Sequence, residues 1–397
     1  MKAKTIGIQR DVTIMVTLMG AAGLLAASAA PASADPLFGQ TNLVSDIPGL
    51  AKITDPSLVN SWGISESSSS PFWISDNGTG LSTLYAVPGS SPPVTKQGLT
   101  VTIPGAVMGT TSAPTGQVFN STSGFALGSS GKALFLFDSE DGAISGWNPS
   151  LGTNAAIAVN NTPGAVYKGL AISDANGGTL YATNFRAGTI DAFDSNFNPT
   201  LTGEFVDPNL PAGFAPFNDK VINVGGQDEL FVTYAKQDAA KHDDVAGPGN
   251  GFVDVFNLDG SFDERLISNG ALNSPWGLQI APSSFRQFAG DLLVGNFGDG
   301  KINAYNATTG AWIGTLDGAN GDPLVIDGLW ALTIGNGGSG GSLNTLYFTA
   351  GPNGESDGLF GSLTAVPEMS TWAMMLAGFA GLGLAAYRSR RARIEAA

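Results

Sequence analysis

A single histidine and no cysteine set narrow limits on the chemistry open to this 397-residue chain. Thiolate nucleophiles, disulfides and cysteine metal sites are excluded together. A Ser-His-Asp triad would have to use His242, and a histidine-rich zinc site cannot be assembled. Oxygen donors are plentiful instead. Between Asp35 and Glu368 the chain holds 31 Asp and Glu against 11 Lys and Arg, a net charge of −20. Such a surface repels nucleic acid, so no nucleic-acid partner is expected.

Carboxylates and amide oxygens that converge suit a hard cation, and Ca²⁺ is the cofactor such a donor set would take. The candidate metal ligands are Asp76, Glu140, Asn296, Asp299 and Glu355. A bound cation that activates water would be the simplest enzymatic mechanism available. The candidate ligand-binding residues are Asn60, Trp62, Asn184, Arg186, Lys236, His242, Trp276 and Trp330; no residue is assigned a catalytic role. Each has a plainer reading. Asn and Asp beside Gly close turns through their own side chains, and tryptophans plug gaps between sheets as readily as they bind sugars.

The elements that must position these residues come from a repeat. A small element with Gly and an apolar residue precedes an apolar strand, a polar turn with Gly, and a strand ending near an aromatic. Lys168–Leu170 with Leu180–Phe193 is one clear copy, and Trp276–Leu278 with Leu292–Tyr305 is another. Taking Gly63, Gly124, Gly169, Ile222, Gly277 and Trp330 as markers gives steps of 61, 45, 53, 55 and 53 residues. Six units of several short strands predict an all-β, six-bladed β-propeller over residues 35–365. Alternation at Phe135 and Phe137, and at Ile302 and Ala304, predicts half-buried strands. Leu37 to Ser45 or Leu359 to Val366 would complete the final blade.

With four strands per blade, the loop entering the first strand and the loop joining the second to the third share one end of the ring. That parity gathers the candidates above around one mouth. The longest polar interruption, from Ala235 to Gly251, carries His242 and should overhang it.

The phrases Leu58–Gly63, Glu140–Trp147 and Leu292–Gly300 carry a resemblance to a family of exported bacterial proteins with NHL-like repeats, from about Phe38 to Leu363. At the level of fold, that resemblance extends to gluconolactonase-like propellers, which often hold a divalent cation in the central channel. Two functions are therefore expected: a binder of a saccharide or envelope partner without catalysis, or a cation-dependent hydrolase or lactonase.

The ends read as addresses. Lys2, Lys4 and Arg10 precede an apolar stretch and Ala32-Ser33-Ala34, a signal peptide over residues 1–34; an uncleaved anchor is the alternative. Val366–Trp372, an apolar run to Tyr387 and Arg388, Arg390, Arg391 and Arg393 follow at the C-terminus. The run is shorter than the roughly 20 residues of a comfortable span, and the arginines would hold its end inside. Residues 366–397 resemble the PEP-CTERM sorting signal of Gram-negative bacteria, with Met369 where a second proline is usual. The resemblance implies signal peptidase and an exosortase-type protease as export partners, transient membrane contact through the tail, and display on the cell surface or in an exopolysaccharide matrix. A plain C-terminal anchor is the alternative.

Overall fold

A computed structural model describes residues 37–89, 93–201, 204–366, 378–381 and 383–384. The expected signal peptide and nearly all of the expected sorting tail lie outside the described residues. No helix among the described residues is long and apolar enough to cross a membrane.

Five four-stranded antiparallel sheets and a sixth, in which the two-residue strands Ile53–Thr54 and Asp317–Gly318 pair parallel with the outer of four antiparallel strands, form a closed ring. Blades 1 to 5 are built consecutively, with inner strands at Ser61–Ser65, Pro114–Phe119, Tyr167–Ser173, Phe214–Val224 and Pro275–Ile280. Blade 6 takes its first three strands from Leu329–Ile334, Leu346–Ala350 and Leu359–Ala365 and its outer strand from Leu37–Ser45. Both candidate closing segments are therefore used: Leu37–Ser45 pairs antiparallel with Leu359–Ala365, Phe38 opposite Ala365 and Ser45 opposite Leu359. Each inner strand packs against the next, and the sixth packs against the first. A ring stapled by a strand from its other end leaves only short sheet edges, so stability without disulfides is physically reasonable.

The strands are buried on both faces, not on one as the alternation predicts. In Phe135–Ser139 every residue is buried. Phe135 and Phe137 pack with Trp73 and Trp147 between blades 1 and 2, while Leu136 packs with Tyr167 and Leu180 between blades 2 and 3. Because each sheet is sandwiched between two others, apolar residues occupy both sides. Six such interblade cores surround a seventh, axial cluster that includes Trp62, Phe185, Phe217, Trp276 and Trp330.

Two repeat markers fall in the wrong place. Gly124 belongs to an excursion between the first two strands of blade 2, where Phe125 has φ 62°. The equivalent of Gly63 is Gly116, which restores steps of 53 residues from Gly63 to Gly116 and from Gly116 to Gly169. A Cβ on Gly116 would strike the backbone of Gly169 and Leu170 in blade 3, so the close approach of inner strands requires glycine there. Ile222 lies on the correct strand but near its far end. Blade 4 places Asn218 where it reaches across to blade 5, its Nδ2 donating to Trp276 O at 2.7 Å.

Candidate functional site

The face on which the inner strands begin is here the upper face. Beneath it the axial aromatics form a floor. Trp62 stacks on Trp330 with centroids 3.5 Å apart, and Phe297 stacks on Trp330 at 4.0 Å. Three indoles pack together because the inner strands of blades 1, 5 and 6 each place a Trp near their start. The tryptophans are thus buried in the floor, and none offers an open face to the mouth.

Above the floor a polar network links blade to blade. Trp330 Nε1 donates to Asn60 Oδ1 at 3.0 Å. Asn60 Nδ2 donates to Glu355 Oε2 at 2.8 Å and to Asn77 Oδ1 at 3.1 Å. Asn77 Nδ2 donates to Glu140 Oε2 at 3.0 Å. Glu140 Oε1 accepts from Lys168 Nζ, which also lies 3.5 Å from Asp243 Oδ1. His242 Nδ1 meets the same Asp243 oxygen at 2.8 Å. Trp276 Nε1 closes the circuit on Lys168 O at 3.1 Å.

Local structure explains why these side chains meet. Glu355 sits at φ 67° after Asn353 at 57° and Gly354 at 63°, a left-handed run that turns its carboxylate onto Asn60. Such backbone strain in a non-glycine residue is characteristic of functional sites. A Cβ on Gly351 would collide with Asn60 Oδ1, so the blade 6 loop needs glycine to admit that amide. The long blade 4 loop is folded by Asp238, whose Oδ1 accepts from His242 N at 2.8 Å and from Asp243 N at 3.3 Å. It overhangs the mouth and delivers His242 and Asp243.

Lys168 dominates the electrostatics. Its side chain is 2% exposed, and its ammonium lies 5.0 Å from the centroid of the Trp62 ring. Burial opposes its charge, but Glu140 and then Asp243 more than compensate, and its pKa is raised. The hydrogen bond to Asp243 raises His242 above its ordinary value and holds Asp243 down at about 2. Burial raises Glu355, with the charge of Glu140 adding to the effect. Glu140, His242 and Asp243 offer ligand atoms within 4.8 Å of one another, a spacing compatible with a metal ion. Lys168 already occupies the carboxylate oxygens on which that ion would draw.

Of the expected site residues, the structure brings Asn60, Glu140, His242 and Glu355 together. Trp62, Trp276 and Trp330 form the floor beneath them. Six others of the same loop parity lie outside the network. Asn184 Oδ1 accepts from Val166 N and Ala187 N, and Arg186 donates to Pro163 O. Asn296 donates to Ala271 O and to Asp299, which in turn holds Lys301 N. Asp76 is fully buried inside blade 1, its carboxyl pushed well up by burial against the pull of the Thr83 hydroxyl. Lys236 is exposed. Asn77, Lys168 and Asp243 complete the network; loop parity puts Asn77 and Lys168 at this mouth and Asp243 lies in the long loop, but none is among the expected site residues. The usable signal was Lys168, a lone cation inside the apolar strand Tyr167–Ser173.

Below the floor the channel opens into a cavity of about 290 Å³. Glu66 and Lys220 face it. Lys220 Nζ donates to Gln279 Oε1 at 2.6 Å, Leu278 O at 3.0 Å and Leu332 O at 3.3 Å. Glu66 Oε2 is buried without a partner. Burial raises Glu66 to about 7 and lowers Lys220 to about 8, in each case against the charge of the other.

These features define a closed six-bladed β-propeller with a networked polar mouth. No family model matches the sequence. The chain belongs to the family of two uncharacterized proteins of Acanthamoeba polyphaga mimivirus. Protein R648 is 35% identical over 335 residues, covering 81% of this chain and 78% of the relative. Protein L690 is 35% identical over 333 residues, covering 81% and 84%. Among solved structures, a streptogramin B lyase is 12% identical with a TM-score of 0.45, over 83% of this chain and 97% of that one. An arabinofuranosidase of Fusarium graminearum is 12% identical with a TM-score of 0.48, over 82% and 97%.

Proposed function

We propose that this protein is an exported propeller, displayed at the cell surface or in an extracellular matrix, whose upper mouth recognises a hydroxyl-rich ligand without transforming it. A saccharide, free or borne by an envelope partner, has the matching chemistry. The observation that carries this reading is the placement of Lys168. An internal ammonium offsets the charge of Glu140, with Asp243 as a second partner at 3.5 Å, and leaves donors and acceptors fixed around the mouth. Prearranged amides and carboxylates of this kind select hydroxyl groups, because a ligand lacking them would leave the buried polar groups unpaired.

One observation favours a second reading, a hydrolase or lactonase dependent on a divalent cation such as Ca²⁺: the Glu140, His242 and Asp243 spacing. Thermal denaturation of the purified full-length chain separates the two. Neutral oligosaccharides are expected to raise Tm by mass action, and His242→Ala to reduce the rise, with EDTA without effect. A Tm that rises with Ca²⁺ and falls with EDTA, together with turnover of lactones or esters, would replace recognition by catalysis.

Export rests on the sequence of the two ends. The signal peptide and the PEP-CTERM-like tail predict a mature chain running from near Asp35 to near Pro367. Intact-mass measurement on protein from its native host checks this, and retention of Arg388 to Arg393 would indicate a simple anchor.

A further inference from the structure

A second recess lies away from the mouth, between the outer strands of blades 4 and 5. Its volume is about 340 Å³. The walls come from the end of strand Phe262–Ser268, the turn that follows it, and the start of strand Trp312–Thr315. Asn269 at φ 52° and Gly270 at 58° curl that turn. Gly310 lies so close to Leu266 O that any Cβ would collide with it, so the glycine brings the two blades together at the base of the recess.

Two side chains give the recess a chemistry. Trp312 is 58% exposed, and it is the one strongly exposed tryptophan among the described residues. An indole left in water at the edge of a four-residue outer strand contributes little to the fold and leaves a large apolar face available. Beside it, Tyr305 is 2% exposed and lines the recess, yet its hydroxyl is buried without a hydrogen-bond partner. An unpaired buried hydroxyl is destabilising, and a polar group brought by a ligand would relieve part of that.

We propose that this recess is a saccharide subsite, taking one neutral pyranose ring with its C–H face on Trp312, a small shift of the recess wall uncovering Tyr305 Oη for a ring hydroxyl. The indole face carries negative charge density that attracts the polarised C–H groups of a sugar, while the sugar's hydroxyl satisfies the phenol. The recess has room for one ring and presents one open aromatic. An extended proline-rich peptide requires an aromatic-lined groove. With a net charge of −20 over Asp35–Glu368, the domain favours a neutral sugar over an anionic one. This inference does not depend on the reading of the mouth.

The test is tryptophan emission of the full-length chain titrated with cellotetraose, chitotetraose and mannotetraose at millimolar concentration. At least one of them is expected to shift the emission, and Trp312→Ala to remove the shift. Tyr305→Phe discriminates best. Deleting an unpartnered hydroxyl leaves Tm unchanged or raised, while affinity is expected to fall about three- to tenfold. Glu355→Gln, altered in the mouth on blade 6, retains the part of the response that Trp312→Ala removes, so the two sites fail or stand separately. The proposal is overturned if no oligosaccharide perturbs the emission, if Tyr305→Phe binds as the parent does, or if a proline-rich peptide quenches Trp312 where the sugars do not.

Discussion

The two ends of the channel use the same pair of residue types to different effect. Above the aromatic floor, Lys168 of blade 3 pairs directly with Glu140, gains Asp243 as a second partner, and has its pKa raised. Below it, Lys220 of blade 4 gives its donors to two carbonyls and an amide, leaves Glu66 with a free oxygen, and has its pKa lowered. A buried ammonium keeps its charge firmly when carboxylates contact it, and less firmly when neutral dipoles do. Lys168 at the upper end therefore keeps its charge across the neutral range. The lower end exchanges protons within it.

Lys168→Met is the largest expected perturbation of that contrast. It strands Glu140 and Asp243 beside one another and removes the cation over Trp62. Breaking a buried pair from one side costs about 3–5 kcal/mol, and urea denaturation should show a loss of that size. A loss below about 1 kcal/mol would mean that the pair is solvated and does not hold the charge of Lys168.

Lys220→Met should cost less, on the order of 2–3 kcal/mol. It leaves Leu278 O, Leu332 O and Gln279 Oε1 without their donor, at roughly 1 kcal/mol each. Glu66 meanwhile escapes an uncompensated charge by taking up a proton. Equal losses from the two methionine variants, measured side by side at pH 7, would erase the contrast between the ends.

How far this arrangement was legible in the sequence depends on the level. Six units were readable because close packing of inner strands imposes glycine at fixed intervals, as at Gly63 and Gly169. Gly124 misled because Gly-Phe-Ala imitates the repeated phrase, although its Phe125 adopts a left-handed turn. Burial on both faces was hidden, since a sheet sandwiched by two others shows no apolar alternation. Loop parity correctly grouped Asn60, Glu140, His242 and Glu355 at one mouth. The same parity holds for Asn184, Asn296 and Asp299, yet the oxygens of Asn184 and Asp299 close turns and Asn296 turns its Nδ2 onto Ala271 O and Asp299. Parity fixes the end of the blade on which a residue lies; local hydrogen bonding decides where its side chain points. The lower cavity went unread because Glu66 and Lys220 sit within or just beyond inner strands, where a sequence shows only isolated charges.

The smallest expected effect is the most specific to the lower end. Burial raises Glu66 to about 7, against the charge of Lys220. A carboxyl whose folded-state pKa exceeds its unfolded value favours the fold while protonated. Its contribution is complete below the unfolded value near 4.5 and is lost as pH rises through about 7. Lys220, lowered to about 8, has the opposite sign: it disfavours the fold while charged and relaxes as pH rises through that value. The two windows adjoin without overlapping, about 4.5 to 7 for Glu66 and about 8 to 10.5 for Lys220, so Lys220 offsets little of the loss, which is on the order of 2 kcal/mol between pH 5 and pH 8. Glu66→Gln removes the titrating carboxyl and retains an acceptor for Thr333 Oγ1. Its Tm should therefore fall less than that of the parent between pH 5 and pH 8. At the upper end, Glu355→Gln provides the control on a carboxylate held in the other network. If Glu66→Gln follows the parent's pH profile without flattening, Glu66 remains ionised throughout, and the two ends of the channel are alike in charge.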